Sequence, residues 1–223
     1  MKLLSHLTIL DLTVNVPGPF CSMTLCDLGG RVITIEPPTG DPLRHTTGMW
    51  SALNRGKESM SLNLKTSLGR EILHRLVGSA DIILEGWRPG VAKRLGADYE
   101  TLSKINPRLV YCSISGFGKT GPYRDRPAYD QIMQGVGGLM SITGTPDGEP
   151  EKIGIAVTDI GAGMWGAFAI LTALQHRNQS DNGQHIDLAM LDAQVAWLTY
   201  QAGYYFATND APKRLGKAHP TLV

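Results

Sequence analysis

The sequence predicts an α/β fold, in which an open, mainly parallel sheet carries helices on both faces and is followed by a helical stretch. Short apolar, β-rich runs alternate with amphipathic helical runs in the first half of the chain, as in parallel strands joined by helical crossovers. The strand-like runs end in loops rich in Gly, Pro and charge, where such sheets bind ligands. After Tyr129 the pattern becomes helical.

Strands are predicted from short runs that are rich in β-branched residues or alternate apolar with polar residues. Proline, glycine or charged residues bound each run, which is typical of strand ends. The predicted strands are residues 7–13, 31–36, 59–65, 81–86 and 108–118.

Helices are predicted from apolar periodicity and from capping residues. The first begins at prolines and ends at Gly29, the second is capped by Thr66 or Ser67, and Asp98 begins a later one. The predicted helices cover residues 17–29, 66–80, 88–96, 98–106, 129–144, 156–177 and 188–209.

Composition and charge exclude several classes of function. The 223 residues are 42% hydrophobic, and 21 basic against 20 acidic residues give a formal net charge of +1. A balanced charge gives no overall attraction to nucleic acid or to a membrane surface, so neither is expected as a partner. The three cysteines lack metal-ligand spacing and indicate a reducing compartment. No stretch has the pattern of a signal peptide or a membrane span, and a cytoplasmic protein without a metal site is expected.

Glycine-rich and basic segments raise the possibility of a phosphorylated ligand. The loop "GFGKTGP" (116–122) lacks the spacing of a phosphate loop, so a tight surface loop is the better interpretation. Basic residues near the predicted strand ends would either neutralise the phosphates of a ligand or form a solvated face. The two at either end of one short helix are the best candidates for phosphate contacts. The basic residues are Arg44, Arg55, Lys57, Lys65, Arg88, Lys93 and Arg94, the helix-end pair being Arg88 and Arg94.

Asp159 stands where a small-residue loop meets a long helical pattern. Aspartate there is a favoured N-cap, and its charge suits the positive end of the helix dipole. Against a purely structural role, Thr158 could cap the helix, and Gly161 and Gly163 suggest that something bulky approaches the backbone. The sequence has no serine nucleophile elbow and no Cys–His motif. The residues alone leave a cap and a reactive carboxylate about equally supported.

A resemblance to a known family rests on four stretches in a fixed order. They are "ILDLTVNVPGPFCSMTLCDLGGRVITIEPPTGDPLR", "NRGKESMSLNLKTSLGREILHRLVGSADIILEGWRPGVAKRLGADYETLSKINPRLVYCSISGFGKTGPY", "RPAYDQIMQGVGGLMSITG" and "DIGAGMWGAFAILTAL". Over essentially its whole length the chain resembles the N-terminal half of the family III coenzyme A transferases, which share their fold with the α-methylacyl-CoA racemases. The resemblance implies a Rossmann-like CoA-binding and catalytic large domain over residues 1–223, without the family's small C-terminal domain.

The resemblance also implies a reaction, in which the aspartate at the position of Asp159 is a nucleophile. It attacks an acyl-CoA thioester to give a mixed anhydride and CoA thiolate, which returns to form an aspartyl-CoA thioester. An acceptor carboxylate then attacks that thioester, and CoA is passed on. In this mechanism Gly161 and Gly163 would leave room for the thioester to reach the carboxylate. Acyl-CoA and carboxylic acids are thus the implied partners, coenzyme A enters as a substrate, and no prosthetic group is expected.

Contacts to CoA can be carried over from the family by position. Arg94 is the best candidate for a phosphate contact. Trp87 would pack against adenine or pantetheine, the ordinary alternative being burial in the core. The implied CoA-binding residues are Val16, Leu62, Asn63, Lys65, Gly86, Trp87, Arg88, Arg94, Leu95, Tyr129 and Asp130.

The chain departs from the family's pattern in three ways. Tyr129 stands where the racemases have an acid–base histidine, and its ordinary pKa of about 10 suits that role poorly. Some transferases have a glutamine where Val16 stands and an arginine near Pro37, and the absence of both here argues against formyl- or oxalyl-specific chemistry. Family members also continue past the element at His219 and Pro220 and form interlocked homodimers, so the chain is expected to be truncated.

Three functions therefore follow from the sequence. The leading one is a CoA-transferase that acts through Asp159. The alternatives are an α-methylacyl-CoA epimerase, and a truncated chain that binds CoA or a partner subunit without turnover.

Overall fold

A single parallel sheet forms the centre of the computed structural model, which describes residues 2–46 and 48–219. Its strands lie in the order β3-β2-β1-β4-β5-β6, and every neighbouring pair is parallel. The strand order reverses between β1 and β4, which opens a crevice beyond their carboxyl ends. The strands are β1 (Thr8–Asp11), β2 (Arg31–Glu36), β3 (Glu58–Ser61), β4 (Ile82–Glu85), β5 (Val110–Ser115) and β6 (Gln184–Ala189).

Helices connect the strands and follow the fifth. Pro42–His45 and Ala196–Leu198 are short 3-10 helices. The α-helices are α1 (Pro17–Asp27), α2 (Met49–Asn54), α3 (Ser67–Val77), α4 (Val91–Arg94), α5 (Tyr99–Leu102), α6 (Asp130–Val136), α7 (Leu139–Ile142), α8 (Val157–Ser180), α9 (Met190–Val195) and α10 (Thr199–Thr208).

Two apolar layers, one on each face of the sheet, confirm the predicted architecture. Successive strand residues point to opposite faces, so Ile9 of β1 packs in one layer and Leu10 in the other. The first layer includes Ile170 of α8, and the second includes Leu73 of α3. Thr66 caps α3 by accepting from the Gly69 amide at 3.0 Å.

The prediction was wrong at β6, which was not predicted as a strand. The predicted helix 188–209 begins with the last two residues of this strand. Residues 184–189 alternate between more and less exposed positions, as expected at a sheet edge, so they lack the apolar run that marks the central strands. The predicted helix 129–144 is also interrupted, since Gly138, with φ of 87°, separates α6 from α7. Helix α2 was not predicted.

Helix α8 corrects the expectation that no stretch is long and apolar enough to cross a membrane. Within the part of the chain that the structure describes, this 24-residue helix alone meets that criterion by length and composition. Half of its apolar window is buried against the rest of the fold (50%). It packs on α1, α9, β5 and β6, as the core helix of an α/β domain does.

A buried ion pair lies beneath the crevice. Lys57 Nζ is 3.3 Å from Asp11 Oδ2, and the two side chains are 1% and 0% exposed. The ammonium also donates to the Pro19 carbonyl at 3.0 Å and to Asn54 Oδ1 at 2.9 Å, while Asp11 accepts from the Thr13 amide at 2.9 Å. The pair thus joins β1, α1 and α2, and Lys57 has a structural partner instead of a ligand.

Candidate active site

The crevice beyond β1 and β4 contains a cavity of about 220 Å³. Loops that follow β1, β4 and β5 form its walls, and the first turn of α8 brings Asp159 into it. Arg88 and Tyr129 line it as well. Within residues 2–46 and 48–219, no group of three or more His, Cys, Asp or Glu side chains is arranged to hold a metal ion.

Asp159 lies in the first turn of α8 but does not cap it. Ala156 occupies the N-cap position, and no side-chain cap hydrogen bond is made there. Among the described residues, no hydrogen-bond donor reaches the Asp159 carboxyl. Burial, together with the negative charge of Asp130, raises its pKa to about 7. A partly buried carboxyl that faces a cavity without a structural partner is available for chemistry.

The cap of α8 comes instead from another helix. Asp130, the first residue of α6, accepts hydrogen bonds through Oδ1 from the Thr158 amide at 2.8 Å and from its hydroxyl at 2.6 Å. The sequence-based expectation that Asp159 or Thr158 caps this helix locally was therefore wrong. A contact between residues 28 positions apart cannot be read from the pattern around the helix start.

Gly161 and Gly163 make room for packing within the chain, which corrects the idea that they clear space for a thioester. A Cβ on Gly161 would lie 2.4 Å from the Trp197 ring, and one on Gly163 would lie 2.7 Å from the Pro17 carbonyl oxygen. Both glycines are buried. They let Trp197 and α1 approach the α8 backbone closely, and so fix where the first turn of the helix lies.

Replacing Gly161 by alanine is expected to destabilise the protein by about 1–3 kcal/mol, because the new methyl group overlaps the Trp197 ring. Gly203, in α10, is a matched control because a Cβ there meets nothing within 4 Å. Gly203→Ala should be neutral or stabilising by up to about 1 kcal/mol through helix propensity. Urea denaturation of both variants measures the difference, and equal midpoints would contradict the packing role.

A second cavity, of about 400 Å³, lies beside the first at the same edge of the sheet. Residues after β2 and β3, together with Leu95, form most of its wall, which is largely apolar. Val14 and Trp87 line both cavities, so the two adjoin along these side chains. Asp159 lines only the first of the two.

Most of the residues implied as CoA contacts lie in these two cavities. Gly86, Trp87, Arg88 and Tyr129 line the first, while Leu62, Asn63, Lys65, Leu95 and again Trp87 line the second. Three others line neither: Val16 is the N-cap of α1, Arg94 lies in α4, and Asp130 caps α8. Binding of CoA by these residues stays a prediction.

The seven basic residues near the strand ends fall into two groups. Arg44 donates to Glu36 at 2.6 Å, which helps lower the pKa of Glu36 to about 2, and Arg55 pairs with Asp27. With Lys57 they serve the fold. The remaining four make no side-chain hydrogen bond or ion pair within the described ranges, and they are Lys65, Arg88, Lys93 and Arg94.

The lysine of the loop at 116–122 contacts carboxylates of this chain. Lys119 Nζ donates to Glu85 Oε1 at 2.6 Å, and its amide donates to Asp187 Oδ2 at 3.1 Å. Glu85 also accepts from the Trp87 amide at 2.9 Å. Lys119 therefore ties this loop to the end of β4, where it shapes the first cavity.

Sequence reasoning missed two arginines and one asparagine of the first cavity. Arg124 and Arg126 line it, and the Arg126 guanidinium lies 3.8 Å from the centroid of the Tyr123 ring. Asn15 also lines it and has a φ of 65°, unusual for a residue other than glycine. The run "YRDRP" offered a signal for the arginines, since two basic residues follow directly on a strand-end loop.

A parallel sheet in this strand order, with a carboxyl at its crevice, defines a doubly wound α/β protein whose candidate site lies beyond the carboxyl ends of its strands. The chain belongs to CoA-transferase family III, whose sequence profile matches residues 4–223. The chain is 43% identical to succinate–glutarate CoA-transferase of Agrobacterium fabrum, in an alignment that covers 98% of the chain. It is 45% identical to acetyl-CoA:oxalate CoA-transferase of Acetobacter aceti, in an alignment that covers 97% of the chain.

Solved structures show the same relationship. A CAIB/BAIF family protein from Brucella suis superposes with a TM-score of 0.94 at 43% identity, covering 97% of this chain and 61% of that one. The chain spans 58% of the length of each of the two curated relatives.

Proposed function

We propose that the protein transfers coenzyme A from an acyl-CoA donor to a carboxylic acid through covalent intermediates on Asp159. The observation that carries the proposal is the placement of this carboxyl. It faces the crevice cavity, has no hydrogen-bond donor among the described residues, and lies in the first turn of a 24-residue helix. The helix N-terminus stabilises negative charge that develops beside the attacking carboxylate.

Four steps complete the proposed reaction. An Asp159 oxygen attacks the thioester carbonyl carbon, the C–S bond breaks, and CoA leaves as a thiolate from a mixed anhydride. The thiolate attacks the aspartyl carbonyl and releases the donor acid. The acceptor carboxylate attacks the resulting aspartyl-CoA thioester, which frees the thiolate and forms a second anhydride. The thiolate then attacks the acceptor's acyl carbon, which yields the new acyl-CoA and restores the Asp159 carboxylate.

The two adjoining cavities support a path for CoA. In the proposal, the apolar wall of the second cavity holds the adenine end and Lys65 neutralises a phosphate. The pantetheine arm passes Val14 and Trp87, which line both cavities. Its thioester then reaches Asp159 in the first cavity.

Dicarboxylic acids are the proposed class of acyl group. By name, the Agrobacterium relative acts on succinate and glutarate, which are dicarboxylates. The Acetobacter relative transfers CoA from acetyl-CoA, the thioester of a monocarboxylic acid, to the dicarboxylate oxalate. Arg88, Arg124 and Arg126 line the same cavity as Asp159 and offer guanidinium groups to a second carboxylate. A cavity of about 220 Å³ equals roughly seven water volumes, which suits a short acyl chain.

A donor–acceptor screen tests the proposal. The longest form of the protein that the gene encodes is incubated with succinyl-CoA or acetyl-CoA and a set of acids, and new acyl-CoA is measured by mass spectrometry. Transfer to dicarboxylates is expected to exceed transfer to monocarboxylates of equal length. Exchange of the α-hydrogen of a 2-methylacyl-CoA without transfer would favour the epimerase. Binding of CoA by the 223-residue chain without turnover would favour the truncated binding chain. A homodimer and a cytoplasmic location stay predictions.

The pH dependence of the reaction follows from the raised pKa of Asp159. Only the carboxylate attacks, so kcat/KM should rise with pH and level off above a midpoint of about 7. Two pH units below that midpoint, roughly 1% of the plateau should remain. Initial rates measured between pH 5 and 9 with saturating acceptor test how kcat/KM depends on pH. A profile that is flat over this range would show that the nucleophile has an ordinary carboxyl pKa.

A further inference from the structure

The Asp130 carboxylate is engaged on both oxygens by groups of this chain. Oδ1 accepts from the Thr158 amide at 2.8 Å and from the Thr158 hydroxyl at 2.6 Å. Oδ2 accepts from Gln134 Nε2 at 2.6 Å. These contacts join the first turn of α6 to the first turn of α8, one residue before Asp159.

Gln134 extends this contact to the segment that leads into α8. Its Oε1 accepts from the Ile153 amide at 2.8 Å, and its side chain is fully buried. Thr158 is 1% exposed. Buried, hydrogen-bonded side chains of this kind fix backbone geometry because each lost contact leaves an unsatisfied polar group. We call Asp130, Gln134 and Thr158 the α6–α8 clamp.

We propose that Asp130 is a positioning residue for Asp159, which it serves through the α6–α8 clamp and through its negative charge, and is not a CoA contact. The inference rests on the proposed function of Asp159 as the nucleophile. It departs from the family resemblance, which placed Asp130 among the CoA-binding residues. Asp130 lines neither cavity, whereas its neighbour Tyr129 lines the first.

Electrostatics points in the same direction. A carboxylate repels the phosphates of CoA, so it is a poor contact for them. The same charge acts on Asp159, whose pKa it raises in addition to the larger effect of burial. A more basic carboxylate is the stronger nucleophile once it is ionised.

Other ionisable groups lie in the cavity that Asp159 faces or on helices packed against α8. Arg88, Arg124, Arg126 and Tyr129 line the cavity that Asp159 faces. Helices α1 and α9, which pack against α8, carry Cys21, Cys26, Asp27 and Asp192. Of all these charges, Asp130 is the one that shifts the pKa of Asp159.

The variant Asp130→Asn tests the inference by separating kcat from KM. It keeps an oxygen for Thr158 but removes the charge and places an amide against Gln134 Nε2. We expect kcat to fall on the order of tenfold to a hundredfold because the nucleophile is misplaced. The KM for acyl-CoA should change less than about twofold, and the acid limb of kcat/KM should move to lower pH. A raised KM with an unchanged acid limb would instead identify a CoA contact and overturn the inference.

A matched pair at Thr158 keeps the test sharp if Asp130→Asn folds poorly. Thr158→Ser retains the hydroxyl and should keep near-normal kcat. Thr158→Val keeps the shape but loses the hydroxyl, so kcat should fall severalfold and hydrogen exchange at the amides of residues 158–160 should accelerate. Equal kcat and equal exchange in the two variants would overturn the clamp. Absence of CoA transfer in the wild-type protein would instead refute the proposed function, while the exchange measurement would still report on the clamp.

Discussion

Replacing Asp159 by asparagine is expected to abolish CoA transfer, with a loss in kcat of roughly 10⁴-fold or more, because the amide cannot form the anhydride. The fold should survive, since the carboxyl has no hydrogen-bond donor among the described residues to lose. The loss would be measured with the best donor and acceptor pair from the screen, at a pH above the midpoint of the wild-type profile.

The free energy of unfolding of Asp159→Asn distinguishes loss of the reaction from misfolding. The pKa of Asp159 is raised to about 7 in the folded protein, so the folded state binds more protons than the unfolded state between about pH 4 and pH 7. Stability from this group is therefore lost as pH rises through that range. At pH 8, Asp159→Asn should be more stable by about 1–2 kcal/mol, after allowing for solvent screening of a partly exposed group.

An exposed aspartate provides the control. Asp147 lies in a loop and lines neither cavity, so Asp147→Asn should retain activity and stability. Retention of more than about a tenth of wild-type kcat in Asp159→Asn would show that another group forms the covalent bond.

Replacing Lys57 by methionine is expected to have the largest effect on stability, a loss of about 3–5 kcal/mol. The substitution leaves the Asp11 carboxylate buried, at 0% exposure, without its cation. It also removes the hydrogen bonds to the Pro19 carbonyl and Asn54 Oδ1. Because these contacts support the start of α1, we expect the first cavity to lose its shape as well.

An exposed ion pair of the same sheet is the matched control. Arg31 and Glu58 pair at 2.7 Å, but their side chains are 58% and 54% exposed. Arg31→Met should leave the unfolding midpoint close to that of the wild-type protein, because an exposed ion pair is screened by solvent and contributes little to stability. Chemical denaturation of both variants at pH 7 provides the comparison. Similar denaturation midpoints for the two variants would show that burial does not increase the contribution of the Lys57–Asp11 pair to stability.

The central part of the fold could be predicted because its signals are local. Strands β1, β2, β4 and β5 are buried apolar runs, and Thr66 and Asp98 cap their helices within three residues in sequence. Strand β6 lacked such a signal because it lies at the sheet edge and passes directly into α9.

The candidate site could be predicted in part, since the structure brings Asp159 and most of the residues implied as CoA contacts to the two cavities. Asp159 was singled out by its place before an apolar helix, and the structure puts it in the cavity. The roles of Asp130, Lys57 and Gly161 depend on partners 28 or more residues away in sequence. Because no local pattern encodes such contacts, the sequence analysis placed Asp130 among the CoA contacts, left Lys57 between a phosphate contact and a solvated face, and took Gly161 as clearance for a thioester.

Peptide mass spectrometry after trapping tests the central claim most directly. The full-length protein is incubated with an acyl-CoA donor, quenched with hydroxylamine and digested. A hydroxamate on Asp159, absent from Asp159→Asn and from a sample without donor, is the predicted result. Steady CoA transfer with no modification of Asp159, or with the adduct on a different residue, would contradict the account.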